Sequence, residues 1–229
     1  MARKPNAEEH PAVSMARVRA PLFRRGLLRW WSKNRRSYPW RDPHRTAYEV
    51  LVAEMLLKRT TASAAANVYG TFLRRFPSVE SISRARLLTI ERALEPVGLQ
   101  RQRAKGFKEM ARYVMDIEGG TVPTDVDHLI RIPHVGSYAS AAVSSFALDV
   151  RAAAVDSNVE RIIGRLFARQ LGGVVHPSII RTIAERLLPS ARHRDFNLAM
   201  LDLAAAVCRY GKPKCEACPV RPTCDYGAD

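Results

Sequence analysis

Four cysteines close together near the C-terminal end constrain this chain more than any other feature of its sequence. Cys208, Cys215, Cys218 and Cys224 follow the spacing C-x6-C-x2-C-x5-C, and the other residues include no cysteine with which they could pair. In a reducing cytosol this clustering favours metal or cluster ligation over disulfides, and it predicts a compact loop around one inorganic centre. Zinc and iron-sulfur clusters both accept four thiolates, so the spacing alone leaves both open.

Helical periodicity runs through most of the chain and predicts an all-α fold. Apolar residues recur at spacings of three and four, and no segment shows the alternation of a strand. Residues 1–20 combine basic residues with prolines and little periodicity, so we expect a disordered basic arm, with the folded part beginning near Pro21. The predicted helices cover 22–31, 47–57, 64–76, 103–115, 124–131, 137–147, 157–168, 177–188 and 196–208.

The charge of the chain indicates a polyanionic partner. The formal net charge is +15 and the isoelectric point is about 10.3. Nucleic acid is favoured over a membrane, because no apolar run approaches the roughly 18 residues of a spanning helix. The charged N-terminal residues are not followed by the long apolar stretch of a secretory signal. We therefore expect a cytoplasmic protein, nucleoid-associated if the cell is prokaryotic.

A short turn at residues 129–141 joins two predicted helices and contains Ile132-Pro133-His134-Val135-Gly136-Ser137. Backbone N–H groups at the start of the second helix can bind a phosphate without reading base sequence. The segment resembles the helix-hairpin-helix motif of the endonuclease III and MutY superfamily of DNA glycosylases. That resemblance implies DNA contacts at His134, Val135, Gly136 and Ser137. His134 stands where the family usually has glycine, which predicts a strained or remodelled turn.

The cysteine spacing resembles the C-terminal loop of the same superfamily, where it ligates a [4Fe-4S] cluster. The resemblance therefore implies that Cys208, Cys215, Cys218 and Cys224 hold [4Fe-4S] rather than zinc. Between the first two cysteines lie Arg209, Lys212 and Lys214. In the family this loop presents basic side chains to DNA phosphates, although a merely solvated basic loop is the alternative for these three residues.

Asp156 lies in the segment Val155-Asp156-Ser157-Asn158-Val159, twenty residues after Gly136 and at the start of a predicted helix. Taken alone, it is an ordinary N-cap. The segment also resembles the Val-Asp-x-Asn-Val box of the superfamily, in which the aspartate is catalytic. A fixed carboxylate can stabilise the positive charge that develops on deoxyribose as the glycosidic bond breaks, and it can orient or deprotonate the attacking water. The two roles are compatible.

A second acid, Glu54, interrupts the apolar run from Val50 to Leu57. Periodicity alone favours a surface pair with Lys58 four residues later. The segment Ala-Glu-Met-Leu-Leu-Lys-Arg-Thr, however, resembles a helix of MutY and of mismatch thymine glycosylases in which a glutamate lines the base pocket. A carboxyl group in that apolar setting would have a raised pKa and could protonate the departing base.

Tyr138 occupies the position at which bifunctional members of the superfamily carry a Schiff-base lysine. Together with Leu-Lys-Arg-Thr in place of the Leu-Gln-Gln-Thr typical of MutY, this tyrosine resembles the glycosylases that remove thymine or uracil opposite guanine. The resemblance implies a monofunctional enzyme that leaves an abasic site. The alternatives are MutY-type adenine removal and a DNA-binding protein without catalysis.

Base flipping requires side chains that fill the vacated space in the duplex. By resemblance, Lys58 or Arg59 enters the gap, and Leu99, next to Gln100, wedges beside the orphan guanine; core packing is the alternative for Leu99. We expect two lobes, a six-helix lobe over 47–155 and a cluster lobe over 21–46 plus 156–229, with the DNA cleft between them. The expected partner is double-stranded DNA containing a mispair, bound by a monomer.

Overall fold

The computed structural model describes residues 7–173 and 176–228, and every regular element within those ranges is a helix, which confirms the all-α prediction. None of these helices is both long and apolar enough to cross a lipid bilayer. Short 3-10 turns lie at Ala7–Glu9, Pro39–Arg41, Glu95–Val97, Cys215–Ala217 and Arg221–Thr223. The α-helices are α1 (Pro11–Asn34), α2 (Ala47–Leu57), α3 (Ala62–Arg75), α4 (Val79–Arg84), α5 (Leu87–Leu94), α6 (Gln100–Ile117), α7 (Val126–Leu129), α8 (Ser137–Ala147), α9 (Ser157–Leu166), α10 (Ala168–Leu171), α11 (Pro177–Leu187) and α12 (His193–Ala206).

The chain divides into two compact units whose boundaries differ from the predicted ones. One unit comprises Met1–Arg36 and Arg151–Asp229, and the other comprises Ser37–Val150. Residues 37–46 belong to the second unit, where Trp40 packs edge-on against Tyr69 of α3 with ring centroids 5.6 Å apart. Residues 151–155 belong to the first unit, since Asn197 of α12 donates to the Ala152 carbonyl at 2.8 Å.

Helix α1 begins at Pro11, eleven residues before the predicted helix over 22–31, so the expectation of a disordered arm over 1–20 is wrong from Pro11 onward, while residues 1–6 lie outside the described part. Pro11 occupies the first turn, where a missing N–H costs nothing, and the His10 side chain accepts from the Ala12 N–H at 3.2 Å. A buried stripe continues through the small residues Ala12, Ala16 and Ala20. Alanine adds little to an apolar pattern, which is why the stripe is weak in the sequence.

Helices α4 and α5 lie between residues 76 and 99, where no helix is predicted. They have six and eight residues, about two turns at most, too short for an apolar stripe to stand out in the sequence. The predicted helix over 124–131 is reduced to the four residues of α7. These differences leave the segments that carry the candidate site residues unchanged.

Helix α2 lies in the core of the second unit and packs against α3 and α8. Thr46 and Glu49 form a reciprocal capping box at its start. All its side chains from Val50 to Leu56 are buried, including that of Glu54. The facing helix α8 buries small residues such as Ser140, Ala141 and Ser144, which permit a close approach of the two backbones.

In the first unit, α1 packs against α11 and α12, and α12 packs against α9. The guanidinium of Arg24 on α1 donates to the carbonyls of Arg186 at 2.8 Å and Leu187 at 2.7 Å, at the C-terminal end of α11. Arg19 of α1 donates to the Leu166 carbonyl at 2.6 Å and to Asp225 at 2.7 Å. These contacts join the N-terminal helix to the C-terminal segments.

Candidate functional site

Asp156 is the N-cap of α9, as its position before the helix predicts. Its Oδ1 accepts from the backbone N–H groups of Asn158 at 3.0 Å and Val159 at 2.9 Å. Its Oδ2 accepts from the Asn158 side-chain amide at 2.7 Å. The carboxylate is half-buried and faces the positive end of the helix dipole. It is therefore an oriented anion with a lone pair of Oδ2 still available to a reacting group.

A hydrogen-bonded path connects this carboxylate to the first cysteine. Asn158 accepts through Oδ1 from Arg161 at 3.1 Å, while Arg161 Nε donates to the Cys208 carbonyl at 3.0 Å. The same guanidinium donates to the Ala204 carbonyl at 3.3 Å, near the end of α12. The orientation of Asp156 thus depends on α9, α12 and the start of the cysteine loop together.

The four cysteines line one pocket, formed by residues 207–227 together with Arg165 of α9. Arg165 donates to Cys208 Sγ at 3.3 Å and to the carbonyls of Arg209 and Gly211, each at 2.9 Å. Burial raises the pKa of the Cys218 thiol to about 11, and it also raises the pKa of Cys224. Backbone N–H groups of Val220, Tyr226 and Gly227 oppose these shifts by donating to the two sulfurs. The structure therefore brings together the soft sulfur donors that the sequence singled out.

The basic residues between the first two cysteines are on the outer side of this loop. Arg209, Lys212 and Lys214 are all exposed. Their backbone is held by the Arg165 contacts and by the hydrogen bond of 2.9 Å from the Lys214 N–H to the Val207 carbonyl. The loop therefore presents three basic side chains on a backbone that these hydrogen bonds hold in place.

Glu54 lies in the middle of α2 and is only 5% exposed. Periodicity alone favoured an exposed Glu54 paired with Lys58, but the side chain is buried. The burial that the resemblance implied is confirmed. Burial lowers the pKa of the Lys58 ammonium. The nearby Glu54 carboxylate opposes this lowering, and the Arg103 guanidinium adds to it.

His134 occupies the hairpin turn with a φ of 66°, in the left-handed region where glycine is favoured. The predicted strain at this position is thus present. The imidazole lies over Gly106 of α6, where a β carbon would be 3.4 Å from His134 Cδ2. His134 Nε2 is 2.6 Å from Glu109 Oε2 on the same helix. A glycine on α6 and an acid one turn later therefore accommodate the histidine.

The other hairpin residues differ in exposure. Val135 was predicted to contact DNA, but its side chain is buried and its N–H donates to the Ile132 carbonyl at 3.0 Å, so it anchors the turn in the core. Gly136 is exposed and is the N-cap of α8, without a side-chain cap. Ser137 and Tyr138 form the first turn of that helix and are half-exposed. The N–H groups of this turn are arranged for an anion.

Lys58, Arg59 and Leu99 border one cavity of about 220 Å³ in the second unit. Lys58 Nζ donates to the carbonyl of His134, which ties the end of α2 to the hairpin. Arg59 is exposed and Leu99 is 46% exposed, so core packing does not account for Leu99. Gln100 begins α6 directly after Leu99.

The sequence prediction missed several residues that hold this arrangement. Asn158, Arg161 and Arg165 orient Asp156 and the cysteine loop, and Glu109 pairs with His134. Arg103 was missed as well, although it lies in the buried stripe of α6, next to Ala104 and one turn before Phe107. A charged residue in an apolar stripe was the one available signal.

Comparisons with known proteins agree with this geometry. The model of the HhH-GPD superfamily of base excision DNA repair proteins matches residues 52–189. A thymine/uracil-DNA glycosylase of Methanothermobacter thermautotrophicus is 36% identical over 90% of this chain and 93% of its own. An adenine DNA glycosylase of Mycobacterium tuberculosis is 34% identical over 85% of this chain, which spans 64% of that relative. The solved structure of a thermostable thymine-DNA glycosylase superposes with a TM-score of 0.87 at 35% identity, covering 92% of this chain and 97% of its own.

The family match extends over more than half of the chain and includes the part of α2 with Glu54, the hairpin and Asp156. The thymine/uracil-DNA glycosylase relative extends the similarity to 90% of the sequence. Together with the all-α architecture, these findings establish that the chain belongs to the HhH-GPD superfamily of base excision DNA repair proteins.

Proposed function

We propose that this protein is a monofunctional DNA glycosylase that hydrolyses the N-glycosidic bond of thymine or uracil mispaired with guanine and leaves an abasic site. The observation that carries the proposal is the fixed Asp156 carboxylate in a chain 36% identical to a thymine/uracil-DNA glycosylase. The proposed partner is double-stranded DNA containing the mispair, bound by a monomer. The proposed location is the cytoplasm, on the nucleoid if the cell is prokaryotic.

Asp156 is suited to stabilise the sugar as the base departs. Three hydrogen bonds from Asn158 and Val159 hold its carboxylate, which suits it to stabilise the oxocarbenium-like transition state. Oδ2, which accepts from the Asn158 side-chain amide, can also orient or deprotonate the attacking water. Such a preorganised anion does not need to move during the reaction.

Glu54 is proposed to act on the departing base. Its buried carboxyl lies on α2, one turn before the loop that carries Lys58 and Arg59. Its place among apolar side chains suits it to contact the pyrimidine and to give it a hydrogen bond or a proton.

The absence of an amine in α8 supports hydrolysis without strand cleavage. This helix reads Ser-Tyr-Ala-Ser-Ala-Ala-Val-Ser-Ser-Phe-Ala and contains no lysine. Tyr138, on its first turn, cannot form a Schiff base with the sugar. The proposed product is therefore an intact strand with an abasic site.

The structure favours Arg59 over Lys58 as the residue that enters the gap left by the flipped base. Both residues are exposed, but the Lys58 ammonium donates to the His134 carbonyl. Leu99 is proposed to wedge beside the orphan guanine, with Gln100 next to it. In the second unit, the uncapped start of α8 would bind a DNA phosphate. In the first unit, DNA phosphates would bind to the exposed Arg209, Lys212 and Lys214.

The four cysteines line one pocket and are proposed to hold a [4Fe-4S] cluster. In such a cluster each thiolate binds a different iron, so the sulfurs need not converge on one point. A zinc ion instead requires all four sulfurs about 2.3 Å from one centre. When bound, the cluster would cross-link the four thiolates and fix the loop that carries the basic residues.

An excision assay tests the proposed function. Duplexes containing G·T, G·U, or A opposite 8-oxoguanine are incubated with the protein and analysed with and without alkali. Nicking at G·T and G·U that depends on alkali is the expected result. Nicking without alkali would contradict the monofunctional assignment, and activity confined to the adenine substrate would assign the protein to adenine removal. Tight binding without excision of any base would identify a non-catalytic DNA-binding protein.

Metal analysis of the purified protein tests the cofactor separately. Brown protein with broad visible absorption and equal amounts of iron and acid-labile sulfide is the expected result. A colourless, zinc-loaded preparation would contradict the cluster.

A further inference from the structure

Three non-glycine residues in the left-handed region border the same cavity in the second unit. Arg59, Leu99 and His134 have φ angles of 53°, 53° and 66°. Each such residue costs about 1–2 kcal/mol relative to the right-handed region. The surrounding structure must therefore hold these turns firmly.

Arg103 lies between two of these turns and contacts both. It is 9% exposed, and its five guanidinium N–H groups each donate one hydrogen bond. Nε donates to the Gly98 carbonyl at 2.9 Å, directly before Leu99. Nη1 donates to the carbonyls of Met55 and Leu56, each at 3.2 Å. Nη2 donates to the Lys58 carbonyl at 2.7 Å and to the Thr60 hydroxyl.

These acceptors show why the residue is an arginine. The carbonyls of Met55, Leu56 and Lys58 are at the C-terminal end of α2, where backbone acceptors lack helical partners and the helix dipole favours a cation. The planar guanidinium has donors on opposite sides, so one side chain reaches α2 and the Gly98 turn together. A lysine ammonium is a point donor and cannot span both.

We propose that Arg103 is a positioning residue that fixes the turn at Lys58–Thr60 and the turn at Gly98–Leu99 at a set separation, so that Arg59 and Leu99 enter the DNA together when a base flips. This inference rests on the proposed function. Arg103 acts through the two turns and does not touch the reacting atoms. Because the turns are already ordered before DNA binds, their side chains enter the duplex without a separate ordering cost.

Hydrogen–deuterium exchange of the DNA-free protein tests the coupling without reference to activity. Wild type is compared with Arg103→Lys and with the control Arg112→Lys, which changes an exposed arginine on the same helix. In Arg103→Lys, amide exchange is expected to rise in both turns and to stay unchanged in residues 208–224. A rise in one turn only, or in neither, would overturn the proposal.

Single-turnover excision tests the consequence for the reaction. Uracil is placed opposite guanine in one duplex and opposite a tetrahydrofuran abasic analogue in another, where it has no pairing partner. Arg103→Lys is expected to lower the rate on G·U about a hundredfold, the scale of a misplaced contact. The loss is expected to be much smaller for the unpaired uracil, because less flipping energy is needed. Equal losses on both duplexes, or none, would overturn the positioning role.

Thr60→Val provides a second variant if Arg103→Lys does not fold. It removes the hydroxyl that accepts from the guanidinium and donates to the Lys58 carbonyl, and it keeps the branched shape. The same pattern with smaller amplitude supports the proposal, and wild-type exchange in both turns contradicts it. If wild type excises neither thymine nor uracil from any duplex, the proposed function fails, while a joint rise in exchange still supports the coupling of the two turns by Arg103.

Discussion

A β carbon at Gly26 on α1 would lie 2.6 Å from the carbonyl oxygen of Pro219, between the third and fourth cysteines. That distance is well below a van der Waals contact, and the obstructing atom belongs to the backbone. The N-terminal helix and the cysteine loop therefore approach each other only because residue 26 has no side chain.

Gly26→Ala is expected to destabilise the protein by about 1–3 kcal/mol, the usual cost of overpacking. Thermal unfolding and the retention of visible absorbance during storage measure the effect. The matched control is Gly70→Ala on α3, where a β carbon would meet only the end of the Arg74 side chain at 3.5 Å. That control is expected to gain about 0.5–1 kcal/mol from helix propensity. Equal melting temperatures for the two variants would refute the close contact.

Asp156→Asn separates the capping role from catalysis. Asparagine caps helices about as well as aspartate, so the melting temperature should change little. The negative charge at the sugar is lost, and the single-turnover rate on G·U should fall about a hundredfold to a thousandfold. Full activity in this variant would remove Asp156 from the mechanism.

Arg161→Lys tests the path from the cysteine loop to Asp156. Lysine cannot contact both the Cys208 carbonyl and the Asn158 side chain, so the Asp156 carboxylate loses its orientation. We expect excision to slow by about tenfold to a hundredfold with unchanged DNA affinity. Arg181→Lys on the exposed face of α11 is the control and should match wild type. A drop in affinity at constant rate would instead assign Arg161 to DNA binding.

The lowered pKa of Lys58 predicts how stability depends on pH. Its pKa in the folded state lies below 10.5, so the unfolded chain binds more protons between the two values. The contribution of Lys58 to the free energy of unfolding should therefore increase as the pH rises through that interval. Arginine stays protonated, so the difference in unfolding free energy between wild type and Lys58→Arg should grow toward pH 10.5. Urea titrations across this range measure it, and a difference that shrinks with pH would show the opposite shift.

The parts of the site that depend on local sequence could be predicted. Asp156 caps α9 because an aspartate before a helix start binds the first N–H groups, and the hairpin follows from a short turn between two periodic segments. The four cysteines converge because they are close along the chain. In each case the contacts join residues only a few positions apart.

The parts that depend on long-range contacts could not be predicted. Arg103 binds acceptors more than forty positions earlier, and nothing in the local pattern specifies them. The imidazole of His134 is placed by Gly106 and Glu109, on a helix that precedes it by a long interval. The early start of α1 was hidden because its stripe consists largely of alanines, which bury well but contribute little apolar signal.

The contacts of Arg19 with Leu166 and Asp225 have a consequence for synthesis of the protein. The unit at Ser37–Val150 is continuous and leaves the ribosome complete, whereas α1 must wait for partners that are translated after that unit. Closing a loop of that length carries an entropic cost that is recovered only when these later segments dock. During this interval α1 exposes its apolar stripe, so the N-terminal helix is the segment of the nascent chain most in need of protection from aggregation.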